Sequence, residues 1–221
     1  MMGVFVLKLT TWQRYSFFTG GVIFTALGIS LITKAGLGTS AISSPAYVLS
    51  LLLPYSFGAF TVVCNSIMIL SQILLLRRKF PLVHLLQFPA ALLLGVLIDF
   101  YLFFMSGWVV VMYPVRLAVL LCGCAVLGLG IGLQVIGDVL MLPSEGLVRV
   151  LSYKLHREFE QVKTMLDICL VIFSAILCLL FTHSIAGVRE GTLIAALTTG
   201  SFSRFFHRQI AALWKSYQGT V

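Results

Sequence analysis

Charge is scarce in this chain, and negative charge scarcest. It has seven Asp and Glu against fifteen Lys and Arg in 221 residues, with charged residues only 10% of the whole and a formal net charge of +8. A soluble domain needs a polar exterior whatever it buries, so this deficit excludes one. The mean hydropathy of +1.07 points the same way. Strand-like alternation of polar and apolar residues is absent, so the membrane-spanning elements are expected to be helices, not barrel strands. No phosphate-binding Gly-rich loop with its Lys is present, which argues against ATP hydrolysis. Cysteines are few: Cys64, Cys122, Cys124, Cys169 and Cys178 all fall in apolar runs, without a paired extracellular framework. Zinc-ligand spacing is missing, and His84, His156, His183 and His207 are scattered. The thiols read as small hydrophobes, and no metal or cofactor is expected.

What remains is apolar sequence in blocks. Runs near 15–35, 57–76, 82–104, 114–137, 162–182 and 187–206 approach or exceed the roughly 20 residues a helix needs to cross hydrocarbon. The apolar stretch after Arg14 is too long for a cleavable signal and lacks a cleavage site, so the first span is expected to be retained. Lys and Arg sort by side. Lys8, Arg14, Arg77, Arg78, Lys79, Arg149, Lys154, Arg157, Lys163, Arg204, Arg208 and Lys215 fall on one face, and only Lys34, Arg116 and Arg189 on the other. Basic loops stay cytoplasmic, which puts both termini inside and requires an even number of spans. Topology and contact with anionic lipid account for the positive charge, and nucleic acid is not needed as a partner.

The chain also repeats itself. At an offset of 102, Gly21, Leu27, Gly28, Ile29, Leu31, Val48, Leu49, Ser50, Leu53 and Phe57 fall on Gly123, Leu129, Gly130, Ile131, Leu133, Val150, Leu151, Ser152, Leu155 and Phe159 without a gap. Each copy, about 12–106 and 114–214, holds three spans. Three is odd, so the copies are inserted in opposite senses within one membrane domain. The expected fold is therefore all-α: six transmembrane helices in two inverted three-helix repeats, an architecture of alternating-access carriers. Gly128-x-x-x-Gly132 reads as a close helix interface between the matching spans one and four.

Each copy also contains a segment too short to span. In the first, Gly36, Gly38, Thr39, Ser40 and Ser43 lead to Ser44-Pro45, a helix start whose hydroxyl can cap free N–H groups, and Pro54 ends the segment. In the second, Pro143-Ser144-Glu145-Gly146 opens a helix to about Arg157, with Leu147, Val148, Leu151 and Leu155 on one face. Such a helix lies on the surface or dips between spans. Broken helices expose N–H groups to a solute. The substrate-contacting candidates are therefore Gly36, Gly38, Thr39, Ser40, Ser43, Ser44, Asn65, Ser144 and Glu145, with Asn65 the repeat partner of Asp167.

Ionisable groups within hydrocarbon are costly and usually face a partner or a cavity. Asp99, Asp138, Asp167, Arg189, Glu190 and Arg204 are the candidates for gating or proton coupling, against static pairing at span ends. Asp99 is expected near Lys34, Arg189 and Glu190 outside; Asp138 and Asp167 are expected inside, with Glu145, Arg149 and Arg204 available. Arg189 and Glu190 project about 100° apart on a helix, which predicts different partners for each, Asp99 being one for Arg189.

The strings Ala35-Gly36-Leu37-Gly38-Thr39-Ser40, Gly137-Asp138, Leu142-Pro143-Ser144-Glu145-Gly146-Leu147, Phe159 with Lys163 and Asp167, and Gly187-Val188-Arg189-Glu190-Gly191-Thr192 running on to Leu197 resemble the YczE/YyaS/YitT-type bacterial membrane proteins, the YczE-like branch most closely. The resemblance spans almost the whole chain. It implies a bacterial cytoplasmic (inner) membrane location and supplies neither substrate nor catalytic residues. The leading functional expectation is a small secondary transporter for a small polar or amphipathic solute, with proton coupling open and assembly as a homodimer open. The alternative is a non-transporting accessory or regulatory subunit. Enzymatic chemistry is not expected, because Asp99 and Asp138 sit near opposite faces, too far apart to share a proton.

Overall fold

Apolar blocks this long become helices because hydrocarbon offers no partner for backbone N–H and C=O groups. The computed structural model describes residues 10–182, 187 and 189–218, without the side chains of 79, 182 and 213–218. Lys8, His183 and Val188 of the sequence reading lie outside the described residues. The helices are α1 (Thr11–Lys34), α2 (Ser44–Leu52), α3 (Phe57–Leu76), α4 (Gln87–Phe104), α5 (Tyr113–Gly137), α6 (Pro143–Leu155), α7 (Phe159–Thr182) and α8 (Glu190–Gln218). Short 3-10 turns at Arg77–Lys79 and Leu82–Leu86 join α3 to α4. No strand is present among the described residues.

Local chemistry sets the boundaries. Thr10 and Gln13 form a reciprocal capping box at α1, with the Thr10 N–H donating to Gln13 Oε1 at 2.9 Å. Ser56 accepts from the Ala59 N–H at 3.1 Å to start α3. Asp138 takes a left-handed conformation, φ 44°, and ends α5.

Five helices are long and apolar enough to cross a membrane: α1, α3, α4 with its preceding turn, α5 and α7. The chain is thus a multi-pass membrane protein by the length and composition of these elements. The sixth expected span lies in α8, which is long enough but less apolar, since Arg204, His207 and Arg208 interrupt it. On α7, Ile168, Ile172 and Ile176 are half exposed or more, as lipid-facing side chains should be.

The core is the α1–α5 crossing. A Cβ on Gly21 would meet the Gly130 carbonyl at 2.7 Å, and one on Gly130 would meet the Gly21 carbonyl at 2.8 Å. One on Gly123 would meet the Gly28 carbonyl at 3.1 Å. Partner numbers fall along α5 as they rise along α1, so the two helices run antiparallel. Glycine alone lets backbones come this close. Gly128 and Gly132 do not take part: they face Phe202, Ser203 and the His207 backbone of α8. The expected Gly-x-x-x-Gly interface therefore exists, but its partner is α8 and not α1, because α1 already occupies the Gly123–Gly130 face.

Around this pair, α4 lies on α1 and α8 on α5, while α3 and α4 pack along each other. The short helices cross over: α2 packs on α3 and α7, and α6 packs on α7 and α3. Contact between α7 and α8 is at most marginal.

Candidate functional site

Two polar clusters form where the short helices meet the long ones, at opposite ends of the α1–α5 pair. The first is built on residues 35–43 between α1 and α2. Gly36 (φ 69°) and Gly38 (φ 116°) hold left-handed conformations that fold this loop back toward the start of α8. A Cβ on Gly38 would sit 3.1 Å from the Arg189 nitrogen. The Gly191 N–H donates to the Leu37 carbonyl at 2.9 Å, and Arg189 donates to the Gly36 carbonyl at 3.5 Å.

Hydroxyls line this junction. Thr33 Oγ1 donates to the Ile29 carbonyl and lies 2.9 Å from Thr39 Oγ1, with Thr39 fully buried. Ser40 donates to Ser43 at 2.9 Å, and Ser44 Oγ donates to the Ser40 carbonyl at 3.0 Å. The expected Ser44 cap is therefore not made. Ser43 occupies the cap position but its side chain caps no helix N–H, and Ser44 is drawn backward into the loop. Thr192 is fully buried with Oγ1 unpartnered.

Asp99 is not part of this junction. Its Oδ1 accepts from the Gly58 N–H at 2.7 Å and its Oδ2 from Ser56 Oγ at 2.6 Å. The carboxylate thus sits on the positive end of α3, where helix N–H groups and dipole both favour it. Arg189 does not reach it and pairs with its neighbour Glu190 at 3.5 Å. This departs from the 100° expectation because Arg189 precedes the first helical residue of α8, so helical spacing does not govern it. Lys34 donates to the Ser106 carbonyl.

The second cluster surrounds the start of α6. Gln72 of α3 and Gln87 of α4 are buried, and Gln72 Nε2 donates at 3.0 Å to both Gln87 Oε1 and the Pro143 carbonyl. A Cβ on Gly146 would lie 2.8 Å from Gln72 Oε1 and 2.8 Å from Gln87 Nε2, so glycine there lets the amide pair reach the helix. Gln72 Oε1 itself has no partner. No side chain caps α6, and Ser144 is buried in its first turn. Glu145 follows, half-buried. Loss of water pushes its carboxyl pKa up, partly offset by the Lys163 ammonium. Lys163 pairs with Asp167 one turn along α7 at 3.7 Å, while Asp167 Oδ1 is buried and unpartnered.

Three expected members stand apart. Asp138 pairs with Arg14 at 3.0 Å on an exposed edge, and Arg14 also donates to the Gly137 and Asp138 carbonyls, capping the end of α5. Asn65 donates to Thr61 within α3. Arg204 is exposed on α8. The sequence reading passed over Gln72, Gln87, Gln134 and Thr192. The available signal was an amide in an apolar span, which has to find a partner; Gln134 does so by donating to Thr25 at 2.8 Å across the α1–α5 crossing.

This arrangement covers the segment that a family model matches, residues 12–208. The chain belongs to the DUF6198 family, a family of unknown function. No curated protein and no solved structure matches the chain. Membership therefore delimits the unit, from α1 into α8, and leaves its chemistry to be read from the two clusters. Both offer hydrogen-bonding groups; the first adds the exposed Arg189–Glu190 pair and the second the desolvated Glu145.

Proposed function

We propose that this protein is a small secondary transporter, six spans in two inverted halves, moving a small polar or amphipathic solute by alternating access. The observation that carries the reading is the reciprocity of the α1–α5 contact. Gly21 with Gly130 and Gly28 with Gly123 are one contact written twice, since an offset of 102 turns each pair into the other. Matched helices crossing antiparallel with exchangeable contacts are what a two-fold axis in the membrane plane produces. The exchanged seats of α2 and α6, each also touching the second long helix of the opposite half, agree with it.

The halves differ in one respect that suits a carrier. α3 and α4 are closed on each other, whereas α7 and α8 are apart. Exchange of those two conformations between the repeats would move the opening from one face to the other around a fixed core. The substrate candidates of residues 36–44 and Ser144–Glu145 lie where the short helices would shift. The YczE-like resemblance supports placing the protein in the bacterial cytoplasmic membrane, and the sorting of Lys and Arg by side supports both termini inside.

Cysteine cross-linking in membranes tests this without knowing the solute. In a background lacking the five native cysteines, Val62→Cys with Gly95→Cys bridges the closed α3–α4 pair, where a Gly95 Cβ would lie 2.6 Å from Val62. The repeat-related Thr164→Cys with Gly200→Cys, Gly200 matching Gly95 once the last helix is shifted by three residues from the offset of 102, bridges α7 and α8 only in the exchanged state. Formation of the second cross-link, with loss of the first in the same molecules, is expected. Failure of the second pair to cross-link under any condition that oxidises the first would remove the rocking mechanism.

A further inference from the structure

The last helix carries a feature that neither cluster uses. Side chains of α8 alone, Ser201, Arg204, Phe205, Arg208 and Gln209, line an open hollow of about 480 Å³. Arg204 and Arg208 are one turn apart, both exposed, and neither has an ion pair among the described residues. Their own helix offers them no acid, for the chain contains no Asp or Glu from Gly191 to its last residue.

Their depth identifies the occupant. α8 runs parallel to α5, since Gly128 meets Phe202 and Ser203 while Gly132 meets Ser203 and His207. Arg204 and Arg208 therefore lie beside the last turns of α5, at the end marked by the Arg14–Asp138 pair. Measured from Glu190, they stand about 21 Å and about 27 Å along the helix axis. Hydrocarbon is about 30 Å thick. With Glu190 at one boundary, the two guanidinium groups reach the other, at headgroup level. Between these charges α8 exposes Leu193, Ala196 and Leu197, while Ala195 is buried and Ile194 and Phe202 pack inward on the core.

We infer that Arg204 and Arg208 form a binding site for the phosphate of an anionic phospholipid in the cytoplasmic leaflet, with Gln209 beside the headgroup and Ser201 and Phe205 deeper, along its acyl chains. Two guanidinium forks offer a phosphodiester several charge-assisted hydrogen bonds, and arginine is well suited to phosphate geometry. The aromatic ring between them sits where amphipathic and aromatic groups gather at the interface. The site also accounts for how a helix with two arginines near its inner end can serve as a span: the lipid phosphate offsets part of their charge. The assignment rests on α8 as the sixth crossing and not on transport, and lipid retention reads it separately from the cross-links above.

The test is native mass spectrometry and thermal unfolding of the delipidated full chain with added phosphatidylglycerol, phosphatidylcholine or inorganic phosphate. The wild type should retain phosphatidylglycerol and unfold at higher temperature with it, with no such effect from phosphatidylcholine. Arg204→Gln with Arg208→Gln should weaken phosphatidylglycerol retention about thirty-fold, at about 1 kcal/mol per basic residue. Arg204→Lys with Arg208→Lys should retain most of it, and Arg77→Gln with Arg78→Gln, a distant basic pair, should leave it unchanged. Should the double Gln variant fail to fold, Arg208→Gln alone at the more peripheral position should still lower retention. Equal loss from the Arg77/Arg78 variant would overturn the site in favour of diffuse attraction. Equal stabilisation by inorganic phosphate, or an Arg208-dependent doubling of mass without lipid, would overturn the lipid as its occupant.

Discussion

Gly21 of α1 and Gly130 of α5 face each other so closely that a methyl group on either would strike the other's backbone carbonyl. Gly20, one residue earlier, has nothing within 4 Å of the same added atom. Neighbouring glycines with opposite surroundings give a controlled comparison. Gly21→Ala should destabilise by about 1–3 kcal/mol through overpacking against backbone that cannot yield. Gly20→Ala should be neutral or stabilising by up to about 1 kcal/mol. Thermal unfolding in detergent measures both, and equal effects would dissolve the interface argument.

Asp99 works as the anchor of the α3 start. Asp99→Ala removes acceptors for the Gly58 N–H and the Ser56 hydroxyl and should cost about 1–3 kcal/mol. Ser56→Ala should cost about 1 kcal/mol. The double variant should fall short of the sum because the two side chains share a bond. Strict additivity in a double-mutant cycle would show that they act independently.

The amide pair beneath α6 predicts a different asymmetry. Gln87→Leu leaves Gln72 Nε2 with the Pro143 carbonyl as its one remaining acceptor and should cost about 1–3 kcal/mol. Gln72→Leu with Gln87→Leu should cost less than the two single changes added together, because no buried amide is then stranded. Gly146→Ala should mimic the single change by forcing the pair apart. Denaturant titration of the wild type, the two single variants, the double variant and Gly146→Ala decides, and a double variant worse than the sum would contradict the account.

Glu145 gives a pH dependence with a definite sign. Its pKa in the folded protein is raised above the ordinary value of 4.5, by desolvation first and against the pull of Lys163. The native state then binds more protons than the unfolded one, so this group's contribution weakens as pH rises from 4.5 through the raised value. Glu145→Gln should flatten that fall and raise stability at neutral pH. Unfolding temperatures from about pH 4 to about pH 8 test it; parallel curves for the two proteins would count against a desolvated Glu145.

The exposed Arg14–Asp138 pair should matter through Arg14 more than through the charge. Asp138→Asn should change stability by less than about 1 kcal/mol, as exposed ion pairs do. Arg14→Ala also strips two carbonyls at the end of α5 of their donor and should cost measurably more. A larger effect from the Asp138 change would reverse this assignment.

Composition and run length made the helices legible, because a backbone in hydrocarbon has few ways to satisfy itself. The boundaries of α3, and the short helices after Ser43 and Leu142, were likewise readable from Ser, Pro and apolar spacing. The candidate site was legible only as a region. Glycine density marked residues 36–38, yet nothing local indicated that this loop would bond to the start of α8, 153 residues away. Asp99 read as a stray charge, since its partner is the amino end of a helix that lies 41 residues earlier. Gln72 and Gln87 were invisible to a search for charges, although an amide in an apolar run faces the same need for a partner.

By itself, then, the sequence determined the membrane setting and the helical segments, both of which follow from how much polar group a stretch of chain presents to its solvent. The tertiary structure alone decided which glycine meets which helix, which carboxylate caps and which one stays desolvated. Those outcomes depend on the few ångströms between surfaces, where one missing methyl group or one buried hydrogen bond selects the partner.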